Sequence, residues 1–90
     1  MLRIRKIVAS STAITLHVEG RIVAEWVALL EQECGQALRE TARVQLDLAG
    51  VTFIDARGVK ALRRIATDGV VIVNSRELID ALLKSDGGEP

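Results

Sequence analysis

Apolar residues alternate with polar ones near the start of the chain and then recur at intervals of three and four residues. The alternation predicts two strands, over residues 2–8 and 14–18, joined by a Ser/Thr turn as a hairpin. The helical spacing that follows predicts a long helix over residues 22–40. Trp26 and Cys34 lie on its apolar stripe, so we expect both in the core or at its margin.

The second half of the chain alternates strands with helices. Its predicted elements are a strand over 44–48, a partly buried loop, a helix over 56–67, a strand over 70–73 covered on both faces, a last helix through 84 and a disordered tail over 85–90. Strand–helix–strand connections are right-handed and make successive strands parallel. The pattern therefore predicts a single α/β domain over residues 1–84, with a four-stranded mixed sheet and helices packed mainly on one face.

Residues 44–58 connect the third strand to the second predicted helix. They read Val-Gln-Leu-Asp-Leu-Ala-Gly-Val-Thr-Phe-Ile-Asp-Ala-Arg-Gly. Asp55 stands just before the helical pattern, where its carboxylate can accept hydrogen bonds from the unpaired backbone N–H of Arg57 or Gly58. A molecule that binds here would meet a helix N-terminus.

This run resembles the signature of STAS domains, which are named for sulfate transporters and anti-sigma-factor antagonists. The family signature reads roughly Asp-Leu-Ser-x-Val-x-Phe-Ile-Asp-Ser-Ser-Gly-Leu, and the similarity is concentrated between Asp47 and Val59. It extends to Val-Glu-Gly-Arg-Ile at residues 18–22 and to Val-Val-Ile-Val-Asn at residues 70–74. The resemblance implies the STAS fold, in a short version because the usual last strand and helix have no counterpart after Leu83.

The paired serines of the family signature correspond here to Ala56 and Arg57. In bacterial partner switching the second serine accepts a phosphate, so Arg57 stands at the phosphoacceptor-equivalent position. Arginine has the opposite charge to phosphoserine and is not a substrate of serine kinases. The resemblance therefore implies a variant that lacks the phosphoacceptor serine and is not regulated by phosphorylation at the usual position.

The second predicted helix has a basic face. At 100° per residue, its four basic side chains fall within about a third of the circumference. Such a face is ordinarily solvated and balanced by acidic residues elsewhere, but it also suits an anion or an acidic patch on a protein. Gly58 points toward the apolar side, where we expect close packing. The candidate partner-binding residues are Asp55, Ala56, Arg57, Gly58, Lys60 and Arg64, and we expect the neighbouring strand ends to take part.

Composition excludes several classes of function. Twelve basic and twelve acidic residues balance, which argues against a general nucleic-acid binder. One cysteine and one histidine, His17 on the polar side of its strand, predict neither a disulfide nor a metal site. No nucleophile stands at motif spacing from a base, so we expect no catalysis and no cofactor. Without a long apolar run, we expect a cytoplasmic protein that does not insert into membranes.

Three functional hypotheses follow from the residues and the resemblance. The leading one is a non-catalytic protein-interaction module in bacterial signalling and transcription regulation, resembling anti-sigma-factor antagonists, whose partner is an anti-sigma factor, a serine kinase or another signalling protein. The second is a cytoplasmic STAS subunit of an ABC-type membrane transport assembly, bound to an ATPase or permease. The third is a domain that binds a nucleotide or other small anion. The sequence leaves a homodimer open, and also phosphorylation of another Ser or Thr.

Overall fold

The computed structural model of the chain describes residues 1–75, which form four strands and two helices. In chain order these are β1 (Leu2–Ser10), β2 (Ala13–Ile22), α1 (Ala24–Glu40), β3 (Arg43–Ile54), α2 (Ala56–Thr67) and β4 (Val71–Val73). The helix predicted through residue 84, the domain boundary placed there and the tail over 85–90 lie outside the described residues.

The four strands form one mixed sheet in the order β1-β2-β3-β4. β1 and β2 are an antiparallel hairpin, whereas β2, β3 and β4 run parallel to one another. This arrangement confirms the predicted four-stranded mixed sheet, including the hairpin at its start and the two parallel crossovers through helices.

The core lies between one face of this sheet and both helices. Alternate residues of β2 and β3 face it and are almost fully buried, namely Ile14, Leu16, Val18, Val44, Leu46 and Leu48. The helices contribute Leu30, Cys34, Ala37, Ala61, Leu62 and Ile65. Trp26 is partly buried against this core, as expected, and burial, followed by the nearby charges of Glu33 and Glu31, raises the pKa of the Cys34 thiol to about 12. The helices thus pack on one face, as predicted.

β3 is longer than predicted and carries two irregularities. Its pairing with β2 shifts by one residue between Asp47 and Gly50 and again between Val51 and Phe53. Each shift places one extra residue on β3, which is the defining feature of a β-bulge. The loop predicted over residues 49–54 is therefore wrong: this segment is strand, because β2 extends to Ile22 and continues to pair with it.

Two other boundaries differ from the prediction. α1 begins at Ala24 rather than at residue 22, because Ile22 is the last residue of β2 and pairs with Ile54. β4 begins at Val71, and that side chain is 56% exposed, so the prediction of a strand covered on both faces is wrong. β4 is partnered by β3 on one side only within the described sheet, so its apolar run is not accompanied by complete burial.

Candidate functional site

Asp55 lies between the end of β3 and the start of α2, and its carboxylate caps both helices. Oδ1 accepts a hydrogen bond from the Gly58 N–H at 2.8 Å, and Oδ2 accepts one from the Ala24 N–H at 3.0 Å. The N–H of Asp55 itself donates to the carbonyl of Ile22 at 3.1 Å. The predicted cap on α2 is confirmed. The cap on α1 was not predicted, and it matters because Val23 at the α1 N-cap position makes no side-chain hydrogen bond.

The electrostatics of Asp55 follow from these contacts. The hydrogen bond from the Gly58 amide lowers the pKa of the Asp55 carboxyl below its ordinary value. Partial desolvation opposes this shift, while the amides of Ala24 and Arg57 and the charge of Arg57 reinforce it. Backbone donors favour the ionised form of a carboxylate, so Asp55 is negatively charged at neutral pH and its charge is engaged with the two helix N-termini.

Gly58 lies in the first turn of α2, buried against the ends of β2 and β3. A Cβ at this position would lie 2.5 Å from the carbonyl oxygen of Ile22 and 2.8 Å from Cγ1 of Ile54. Real Cβ atoms do not approach a backbone oxygen so closely, so α2 reaches the sheet only because residue 58 has no side chain. Gly58 therefore positions the candidate surface from beneath, in the packing role that its place on the helix predicted.

The basic face of α2 is exposed at Arg57, Lys60 and Arg64, and Ala56 is exposed beside it. Within residues 1–75, Arg57 and Lys60 form no salt bridge. Arg64 differs, because its Nε donates to Oε2 of Glu31 on α1 at 2.9 Å and its Nη2 contacts the same oxygen. The predicted residues thus lie together at the start and along one face of α2, but Arg64 is held across the two helices, whereas Arg57 and Lys60 have no such contact within residues 1–75.

A shallow groove lies between the first half of α1 and the exposed face of α2. Its volume is about 350 Å³, and Glu31 and Arg64 meet across it. The α1 side is mostly small and apolar, and the α2 side is basic; the other lining residues are Ala24, Val27, Ala28, Arg57 and Lys60. The basic residues predicted from the helical wheel therefore border a concave surface, although a single carboxylate partly neutralises it.

The exposure of Phe53, which lies near Asp55 at the end of β3, was not predicted from the sequence. Its side chain was expected in a partly buried loop, yet it is 47% exposed. Phe53 pairs with Arg21 across β2 and β3, and the Arg21 guanidinium carbon lies 4.9 Å from the ring centroid, a cation–π contact. The second bulge separates Phe53 from the buried Val51. Residue type alone predicts burial for Phe53, and a bulge leaves no mark in the hydrophobic pattern.

A second polar cluster lies on the sheet face opposite the helices. His17 Nδ1 lies 3.0 Å from Asp47 Oδ2, and Asp47 Oδ1 accepts a hydrogen bond from the Ala49 N–H at 2.9 Å. Burial of Asp47 disfavours its ionised form, but the Ala49 amide, the Asn74 side chain and the proximity of His17 together lower the pKa of this carboxyl. The sequence placed both residues on polar strand positions, but only the register of β2 and β3 brings them together.

Residues 1–75 lack two features of other functional classes. That part of the chain holds no group of three or more His, Cys, Asp and Glu side chains placed to bind a metal ion. Neither α1 nor α2 is long and apolar enough to cross a membrane.

Comparison with protein families identifies a STAS domain over residues 5–81. Comparison with curated protein sequences gives no significant match. The family match spans Asp47, Asp55, the bulged half of β3 and all of α2.

Several solved structures share this fold. The Bacillus cell fate determinant SpoIIAA in its phosphorylated form superimposes with a TM-score of 0.71 at 13% identity, over 94% of this chain and 84% of that one. An anti-sigma factor antagonist from Mycobacterium paratuberculosis gives 0.70 at 19% identity, over 80% of this chain and 66% of that one. The STAS domain of an anti-sigma-factor antagonist from Rhodobacter sphaeroides gives 0.61 at 21% identity, over 81% and 86%. At these identities the likeness establishes the fold.

Proposed function

The chain belongs to the STAS domain family, and from this premise we propose that it is a non-catalytic module that binds a protein partner through the start of α2. One observation carries the proposal: Arg57 and Lys60 are exposed, form no salt bridge within residues 1–75, and stand on a helix whose first turn is fixed by Asp55 and Gly58. Similarity to solved anti-sigma-factor antagonists supports the same class of function.

The geometry of this surface favours binding because little ordering is required on association. The Asp55 carboxylate holds the first turns of α1 and α2 together, and the absence of a side chain at Gly58 seats α2 on the sheet. A surface that is already ordered loses less conformational entropy when a partner docks. The two cations then attract a partner surface of opposite charge and orient it during encounter.

We propose that this interaction is not switched by phosphorylation at the usual position. The similar SpoIIAA has been solved in both unphosphorylated and phosphorylated forms. In the signature of the present chain, Arg57 stands where the family has its phosphoacceptor serine. A phosphate there would add negative charge, whereas arginine keeps a positive one. The partner surface is therefore acidic, and binding is constitutive or regulated elsewhere in the chain.

The direct test is affinity purification of the tagged protein from its native lysate, with partners identified by mass spectrometry. The double variant Arg57→Glu, Lys60→Glu is compared with the matched double variant Arg39→Glu, Arg43→Glu, which reverses two exposed charges outside the proposed surface. We expect an anti-sigma factor, a serine kinase or another signalling protein to bind the wild type and the control but not the first variant. Once that protein is purified, its affinity for the first variant should be at least about 10-fold weaker.

Other outcomes would revise the proposal. A partner that binds both double variants equally would show that α2 is not the docking surface. Specific recovery of an ABC-type ATPase or a permease would assign the chain to a transport assembly instead. Failure of the wild type to retain any protein would contradict an interaction module.

A further inference from the structure

We propose that Arg21 and Phe53 form the anchor of the partner surface, and that they fit an apolar pocket bordered by carboxylates on the partner protein. The inference rests on the proposed protein-binding function and specifies the chemistry of the partner. It adds Arg21 and Phe53, at the ends of β2 and β3, to the six candidate residues that the sequence indicated.

The first argument is the position of Phe53. Exposed apolar side chains are common on protein surfaces, but a half-exposed phenylalanine is informative when it adjoins a candidate binding surface. Phe53 lies at the carboxyl end of β3, two residues before the helix-capping Asp55. Two other exposed apolar side chains lie elsewhere on the sheet: Ile7 is opposite Thr15 on the hairpin, and Val71 is opposite Gln45 near the beginning of β3. Met1 is also exposed, and its carbonyl accepts a hydrogen bond from the Arg21 N–H, so it lies beside the proposed anchor.

The second argument is the contact with Arg21. The guanidinium lies over the ring at 4.9 Å from its centroid, which restrains the ring and places a positive charge beside it. Aromatic and arginine side chains are the residue types that most often dominate binding energy at protein interfaces. One face of the ring is covered by Arg21, so the partner pocket receives the remaining exposed surface of the ring together with the charged group.

The third argument is the charge around the ring. The strand ends and the first turns of the helices carry Arg21, Arg57 and Lys60, whereas the carboxylates in the same segments are Glu19, Asp55 and Glu25. Asp55 is engaged with backbone amides, and Glu19 lies 3.8 Å from Arg3. Glu25, in the first turn of α1, is then the one acidic side chain in these segments without such a contact. The formal charges of these segments balance, but two of the three carboxylates already have contacts within the chain. Arg21, Arg57 and Lys60 therefore face a partner beside Glu25 alone, which predicts carboxylates on the partner around an apolar pocket for the ring.

The proposal is tested first by photo-cross-linking in the native lysate. The photoreactive residue p-benzoylphenylalanine replaces Phe53 in one variant and Ile7 in a control. The Ile7 side chain is 42% exposed, a fraction similar to the 47% of Phe53. We expect position 53 to cross-link the protein recovered by affinity purification, in a peptide that contains apolar residues and Asp or Glu. Position 7 should not cross-link that protein. A cross-link from position 53 to a second copy of this chain, to lipid or to a peptide without acidic residues, or no cross-link, would overturn the proposal.

Once the partner identified by cross-linking has been purified, its affinity for variants of this chain separates this proposal from the proposed function. We expect Phe53→Ala to weaken binding at least about 10-fold and Arg21→Gln about 3-fold to 10-fold with a smaller salt dependence, as for interface anchors, while Ile7→Ala leaves the affinity unchanged. If Arg57→Glu, Lys60→Glu abolishes binding but Phe53→Ala does not weaken it, the α2 surface stands and the anchor is wrong. If neither set weakens binding, both proposals are wrong. Circular dichroism and thermal melting verify that each variant is folded.

Discussion

The first half of β3, residues 43–48, and its second half, residues 49–54, differ in how they pair with β2. The first half pairs residue for residue, buries alternate side chains in the core and presents Asp47 on the opposite face. The second half contains the extra residues of two bulges, buries Val51, exposes Phe53 and leads directly to Asp55. Regular pairing therefore builds the sheet, and irregular pairing redirects side chains outward at the end where α1 and α2 begin.

The two aspartates of β3 and its exit show the same difference. Both have a lowered pKa, and both accept backbone hydrogen bonds. Asp47 accepts a hydrogen bond from the amide of Ala49 on its own strand and contacts the ring of His17 on β2. It thereby connects β3 to the neighbouring strand. Asp55 bonds instead to the first turns of two helices. The regular half holds the sheet together, whereas the bulged half fixes the geometry of the candidate binding surface.

The strongest test of this comparison is to add a methyl group beneath α2. In Gly58→Ala the new Cβ would clash with the carbonyl of Ile22, so we expect unfolding stability to fall by about 2 kcal/mol, as for an overpacked interior site. The measurement is urea denaturation followed by circular dichroism, with Gly35→Ala as the matched control.

The control substitution should have the opposite sign. A Cβ at Gly35 would meet no atom within 4 Å, so alanine in the middle of α1 should stabilise the protein by roughly 0.5–1 kcal/mol. If Gly58→Ala also stabilised the protein, α2 would not depend on close approach to the sheet.

A smaller effect is expected when the shared cap is removed. Asp55→Ala leaves the amides of both Ala24 and Gly58 without their acceptor, and we expect the melting temperature to fall by roughly 5 °C. Asp55→Asn keeps one oxygen and should give an intermediate melting temperature. If the asparagine variant melted with the wild type, only one of the two helices would depend on this side chain.

The smallest change at neutral pH is expected for Asp47→Asn, and its signature appears in acid. The native pKa of Asp47 lies below its ordinary value of 3.8, so ionisation stabilises the fold fully above that value. This contribution is lost as the pH falls through 3.8 toward the native pKa. Asp47→Asn should therefore lose less stability between pH 5 and about pH 3 than the wild type does, measured by urea midpoints. Parallel pH profiles for the two proteins would show that Asp47 does not couple to folding.

The sequence predicted the regular parts of the molecule because their causes are local. Alternation marks Ile14, Leu16 and Leu46 as core residues, and an acidic side chain before a helical pattern marks Asp55 as a cap. The wrong predictions have causes that the periodicity of apolar residues along the chain does not reveal. The burial of Phe53 was wrong because a bulge reverses which face a residue occupies.

Contacts between separate elements were also missed for a physical reason. The His17–Asp47 pair depends on the register between β2 and β3, and the Glu31–Arg64 bridge depends on how α1 packs beside α2. The position of the basic face was predicted correctly. The number of cations on it without an acidic neighbour was not, because Arg64 pairs with Glu31 on the other helix. The sequence thus predicts which residues form the candidate site, whereas the electrostatics of the site follow only from the fold.

The carboxylate shared by α1 and α2 has a consequence for hydrogen exchange. The amides of Ala24 and Gly58 belong to different helices, yet both donate hydrogen bonds to the same carboxylate. An opening that swings Asp55 away exposes both amides in a single event, so their exchange rates rise and fall together. A local fluctuation at the end of β3 in this way breaks amide hydrogen bonds at the beginning of two helices at once.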